Sequence, residues 1–159
     1  MAISLEKYYI KDDILIQKLI NKVDEGIKKN NMNYKTNVYG EMTSYNYFLE
    51  DGKSLFNKII EILPKLNYYD AWGNKYRKGD YALLHNHFTD KKGLNKFNGV
   101  SGVIYLNNVE PGTYFPMYDY EEKSEKGKIV LFNSILKHEV RPIQNDEIRY
   151  TMSFNALKE

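Results

Sequence analysis

Three histidines, His85, His87 and His138, are the whole supply in this chain of 159 residues, and their placement suits a single metal ion. His85 and His87 are one residue apart, so in an extended segment both imidazoles leave the same face while Asn86 points away. An HxH pair alone is weak evidence, because surface or hydrogen-bonded histidines are commoner than ligands. His138 strengthens it. It follows a separate apolar strand, Ile129 to Phe132, in the segment Lys137-His138-Glu139-Val140-Arg141-Pro142, and would return from the opposite end of the fold.

A second signal is cationic. Of 23 basic residues only Arg77, Arg141 and Arg149 are arginines, so an arginine invites a specific explanation. Around Arg149 the residues alternate: Ile148, Tyr150, Met152 and Phe154 form one face of a strand, and Arg149, Thr151 and Ser153 the other. Inside a small barrel an unpaired guanidinium would be costly, and a planar carboxylate suits its fork best. The bland alternative is an edge strand whose polar face meets water.

The elements that must position these groups are legible in outline. Ile16, Leu19, Ile20, Val23 and Ile27 recur on one side of a helical period over residues 14 to 27, with Asp12 or Asp13 as N-cap. Leu55, Phe56, Ile59, Ile60 and Leu63 repeat that spacing, with Asp51 or Ser54 as cap and Pro64 marking the end. From Asn67 onward the period falls toward two, in runs such as Tyr81 to His87, Gly102 to Asn107, Lys128 to Phe132 and Glu147 to Asn155. The charged stretch from Asp119 to Lys126 reads as a solvated turn.

Length and a hydrophobic content of 42% predict one domain over 1-159, with 1-66 as helical support and 67-159 as the core. Two helices followed by about eight short strands suggest an α+β, mainly β fold: a jelly roll, or double-stranded β-helix, with both helices packed outside one sheet. Without cysteine, any metal must use imidazole, carboxylate or carbonyl ligands. A net charge of +2 with scattered lysines does not imply a nucleic-acid partner. No apolar run long enough to span a bilayer occurs, and Glu6, Asp12 and Asp13 interrupt any signal-like stretch. The expectation is a cytoplasmic protein without a membrane partner.

From Trp72 to Asn155 the sequence resembles the prolyl-4-hydroxylase-like branch of the 2-oxoglutarate and iron(II)-dependent dioxygenases. The ordered pieces are Tyr76-Arg-Lys-Gly79-Asp, His85-Asn-His87, Ser101-Gly-Val-Ile-Tyr105-Leu-Asn107 and Gly112-Thr-Tyr-Phe115-Pro, then Gly127-Lys-Ile-Val-Leu-Phe132, His138-Glu-Val and Arg149-Tyr-Thr151. Each piece is short and unspecific alone; the order carries the resemblance. It implies that His85 and His138 bind iron(II), and that Arg149, helped by Thr151, holds the distal carboxylate of 2-oxoglutarate. It further implies that the Tyr105 hydroxyl bonds that carboxylate and that Tyr76 lies over the cosubstrate. For the two tyrosines the alternative is ordinary packing, in a chain with 15 of them.

The sequence departs from the family pattern at His87, where most members place a carboxylate. An imidazole there leaves the site one unit more positive, and Asp90 is the alternative third ligand. The implied activity is hydroxylation of a small-molecule or peptidyl substrate with dioxygen, releasing succinate and carbon dioxide. Two other readings remain open: a metal-binding, cupin-like jelly-roll module without 2-oxoglutarate turnover, and a three-histidine oxygenase independent of 2-oxoglutarate. Succinate release separates them. Substrate choice is expected to lie with the segments Phe88 to Asn98 and Tyr118 to Lys126, which would border the barrel mouth.

Overall fold

The computed structural model of the chain describes residues 3–30, 37–87 and 98–158. In chain order these form β1 (Glu6–Tyr9), α1 (Asp13–Lys29), β2 (Val38–Tyr39), β3 (Glu41–Met42), α2 (Lys53–Ile60), β4 (Leu66–Tyr76), β5 (Tyr81–His85) and β6 (Gly99–Tyr105). The chain continues through β7 (Thr113–Phe115), β8 (Tyr120–Glu122), β9 (Lys128–Asn133), β10 (His138–Val140) and β11 (Arg149–Lys158). Two antiparallel sheets result. The larger runs β1-β9-β6-β11-β4-β3 and the smaller β2-β5-β10-β7-β8. The expected jelly roll with two helices against one sheet is what the chain forms.

Alternation explains the layering. On the outer face of the larger sheet, Ile104, Ile129, Met152 and Phe154 meet Ile16, Leu19 and Val23 of α1 and Phe56 and Ile59 of α2 in one apolar cluster. The intervening residues Val103, Tyr105, Val130 and Phe132 point the other way, into a second cluster between the sheets. β11 lies between β4 and β6, so the edge-strand alternative does not hold. Phe154 lies directly opposite Gly102, where a Cβ would stand 2.1 Å from the ring, so glycine makes room for this aromatic anchor.

Asp12 caps α1 as expected, its Oδ1 accepting the Leu15 N–H at 3.0 Å, worth about 1 kcal/mol. The second helix differs. Its N-cap is Gly52, without a side-chain cap bond, and Asp51 instead pairs with Lys29 at 3.1 Å. The reason is steric: a Cβ at Gly52 would come within 2.5 Å of the Phe48 ring. The stretch Asp119 to Lys126 is not simply a solvated turn, for it contains β8 and the buried Glu122. That carboxylate accepts from buried Lys128 and from Tyr120, and pairs with Lys7 at 3.2 Å. Burial pushes its pKa up, but these bonds outweigh burial and leave it below the usual carboxylate range. Three strands the periodicity did not show, β1, β2 and β3, lie within the first 66 residues and join the sheets. Among the described residues no helix is long and apolar enough to cross a membrane.

Candidate active site

The three histidines converge. Their nearest ring nitrogens lie within 4.8 Å of one another, and ring centroids are 4.4 Å apart for His85 and His138, 4.8 Å for His85 and His87, and 5.1 Å for His87 and His138. His85 ends β5 directly opposite His138 of β10. Between the pairs His138↔His85 and Val140↔Ala82, β10 advances two residues while β5 advances three. This bulge turns His85 to the inner face that Ala82 also occupies, a face that strict alternation would have denied it. Leu83 and Leu84, which absorb the extra step, are half exposed. His87 lies just beyond the strand, held by its own N–H to the Ser134 carbonyl at 2.9 Å.

The outer nitrogens are treated unequally. Nδ1 of His85 bonds the Leu83 carbonyl and Nδ1 of His138 the Leu136 carbonyl, a donor pairing that leaves Nε2 of each with its lone pair free. Among the described residues His87 has no such carbonyl; its Nδ1 neighbour is the Asn155 side-chain amide at 3.4 Å. Burial holds all three imidazoles neutral. It lowers the pKa of His85 against the opposing pull of the Leu83 carbonyl, and that of His138 to about 3 with His85 adding to the effect. For His87, burial and then its two histidine neighbours push the value well below the ordinary one. Neutral imidazoles are the form that binds metal. Phe132 and Phe115 flank His138 at 4.9 and 6.0 Å, and Trp72 flanks His87 at 5.8 Å. Among the described residues no carboxylate joins the group; Asp90 lies outside them.

Arg149 lines the same cavity and is only 1% exposed. Its Nε donates to the Pro111 carbonyl at 2.8 Å and its Nη2 to the Gly112 carbonyl at 3.2 Å. A Cβ at Gly112 would fall 1.7 Å from the Glu122 carbonyl oxygen, so glycine lets this loop lie flush on β8 and aim its own carbonyl at the guanidinium. Both acceptors are neutral. A guanidinium carries five N–H donors, and among the described residues it forms no ion pair.

Tyr76, opposite Arg149 across β4 and β11, sets its ring 5.0 Å from the guanidinium carbon. The Tyr105 ring is 5.8 Å away and its hydroxyl bonds Thr113 at 2.6 Å. Burial raises both phenols' pKa, against the opposing pull of Thr113 on Tyr105 and of Arg149 on each. Thr151 follows Arg149 on the inner face and accepts a bond from Asn74 at 3.2 Å. Ser153 lies on the inner face with Arg149 and Thr151, as alternation along the strand led us to expect; Asn74 and Asn155 are site neighbours that the sequence reading did not single out, since an asparagine within a strand carries no signal of its own. Of the segments expected to border the mouth, residues 88–97 lie outside the described ones.

Residues 107–155 match a family model described as "Putative 2OG-Fe(II) oxygenase". Compared with curated protein sequences, the chain finds no match. Among solved structures, the chain is similar to the viral collagen prolyl hydroxylase of Paramecium bursaria Chlorella virus-1 in its 2-oxoglutarate complex. That likeness has 20% identity over 96% of this chain and 95% of that one, with a TM-score of 0.64. A Pseudomonas putida prolyl-4-hydroxylase gives 17% identity, 99% and 94% coverage and a TM-score of 0.64. SnoK, a non-haem α-ketoglutarate-dependent carbocyclase from nogalamycin biosynthesis, gives 11%, 97% and 79%, and a TM-score of 0.75. The matched stretch is similar to the 2-oxoglutarate and iron(II) oxygenases, and the solved structures share this chain's fold.

Proposed function

We propose that the protein is a non-haem iron(II)- and 2-oxoglutarate-dependent oxygenase that hydroxylates a small-molecule or peptidyl substrate. One observation carries this reading: a cluster of three neutral imidazoles shares one cavity with a buried guanidinium that forms no ion pair among the described residues. The first is a donor set for a divalent metal, and the second a clamp for an anion.

The residues present fit the group. His85 and His138 would hold the metal through Nε2, their rings fixed by the Leu83 and Leu136 carbonyls, with His87 as third ligand. Arg149 would take the distal carboxylate of 2-oxoglutarate on N–H donors left over from Pro111 and Gly112, with Thr151 beside it. Tyr76 and Tyr105 wall that end, and burial keeps their hydroxyls protonated and able to donate. Phe115, Phe132 and Trp72 exclude water around the histidines. Iron bound there would supply dioxygen activation coupled to decarboxylation of 2-oxoglutarate to succinate; the protein's share is orientation, charge and exclusion of water.

Three imidazoles suit zinc as well as iron, which favours a metal-binding module as the second reading. Anaerobic addition of iron(II) and 2-oxoglutarate decides between them. The expected result is a weak visible charge-transfer band, suppressed by zinc, and succinate formation once oxygen is admitted. Iron binding with neither band nor succinate would leave the module reading in possession.

A further inference from the structure

The inner face of β11 carries Arg149, Thr151, Ser153 and Asn155 in turn, running from the guanidinium to the amide beside His87. Opposite it on β4, Asn74 faces Thr151 and Trp72 faces Ser153. The buried Asn74 amide is held at both ends. Trp72 Nε1 lies 3.1 Å from Asn74 Oδ1, while Asn74 Nδ2 lies 3.2 Å from Thr151 Oγ1 and 3.1 Å from Ser153 Oγ. An indole N–H can only donate, so the atom facing it must be the amide oxygen, and the flip of Asn74 is settled by chemistry.

It follows that both Nδ2 protons go to the two hydroxyl oxygens. Each hydroxyl is therefore an acceptor toward Asn74, and its own proton must point elsewhere. Among the described residues neither hydroxyl proton has an acceptor, and both residues line the cavity shared by Arg149 and the histidines. The wall is thus made of donors along its length: a guanidinium, then two hydroxyls.

We infer that Asn74, locked by Trp72, is a positioning residue that turns the Thr151 and Ser153 hydroxyls into donors facing the cavity, and that Ser153 is a further contact for the anionic cosubstrate. This rests on the reading of the cavity as a 2-oxoglutarate site and adds to it a polarity set by the Asn74 amide behind the two hydroxyls. Thr151 serves the carboxylate at the Arg149 end, and Ser153 the oxygens nearer the histidines. A ligand rich in acceptors along its length is selected over one with a single anionic end.

The test uses zinc-loaded protein, which cannot turn over, and 2-oxoglutarate as probe. Trp72 is the sole tryptophan, so its fluorescence reports each titration midpoint from within the site, with calorimetry as a check. Ser153→Ala should weaken binding about tenfold, the size of one hydrogen bond to a charged group, and Thr151→Val with Ser153→Ala further. Zinc affinity and melting temperature should hold. Asn74→Asp keeps the shape and the acceptor for Trp72 but reverses the lock, because a carboxylate only accepts and would draw both hydroxyl protons to itself. It should weaken binding at least tenfold in the wild type and clearly less where both hydroxyls are already absent. Simple charge repulsion would cost the same in both backgrounds. Should Asn74→Asp fail to fold, Asn74→Ala replaces it in the cycle and must likewise cost less without the hydroxyls. Unchanged affinity in the Thr151→Val/Ser153→Ala protein, or an equal cost of the Asn74 change in both backgrounds, overturns the inference. Wild-type protein that takes zinc but no 2-oxoglutarate overturns the functional reading as well.

Discussion

At one end of the inner cavity three imidazoles crowd within 4.8 Å with no carboxylate among the described residues. At the other a guanidinium lies buried against two neutral carbonyl oxygens. The first end offers lone pairs; the second offers a cation that forms no ion pair among the described residues. Their costs differ too. Burying neutral imidazoles is tolerable once Nδ1 is bonded, whereas a buried guanidinium without a counter-ion is a standing penalty. On the proposed reading a metal at one end and a dianionic cosubstrate at the other would complete both, so each end should answer to its own ligand.

The largest effect expected from that contrast is at His138. His138→Ala should cost metal affinity more than the ~100-fold typical of losing an outer-shell partner, while the fold, followed by circular dichroism, survives. Next is Arg149→Lys, which replaces a two-pronged donor by a point charge. Cosubstrate binding should weaken by about 1.5–3 kcal/mol with metal content unchanged; equal losses of both ligands would erase the distinction between the ends.

Acid should separate them as well. His138 is neutral in the fold down to about pH 3, whereas in the unfolded chain it takes a proton near 6.5. Protons therefore favour the unfolded state between those values, so metal-free stability should be full above about pH 6.5 and decline as pH falls toward about 3. The fall in melting temperature across that range should become shallower in His138→Gln, with His85 and His87 keeping the rest of it, and should be unchanged in Arg149→Lys. The smallest effect is expected of Tyr105→Phe, which removes one hydroxyl bonded to Thr113 and should weaken 2-oxoglutarate binding by about 1 kcal/mol, read by titration.

What the sequence disclosed of this contrast, and what it hid, follows from range. The two faces of β11 were legible because burial on both sides leaves a period of two in the residue types themselves. The histidines were legible because there are so few. The bulge in β5 that aims His85 inward leaves no residue signature, since it is a matter of register with β10. The neutral acceptors of Arg149 come from a loop 37 and 38 residues away. Glu122 was hidden in a charged stretch, and its partner Lys128 lies beyond that stretch at the head of a strand, because composition does not tell a paired buried charge from a solvated one. β2 and β3, two residues each, are shorter than any period can reveal.

The account rests most heavily on His87, which the proposed reading makes the third metal ligand in place of a carboxylate. We predict that His87→Ala loses its metal, that His87→Asp keeps it because a carboxylate can take the same coordination position, and that Asp90→Ala keeps it too. Metal content of the three purified variants, with circular dichroism to confirm that each is folded, is the direct measurement. Metal retained in His87→Ala but lost in Asp90→Ala would contradict the three-histidine site.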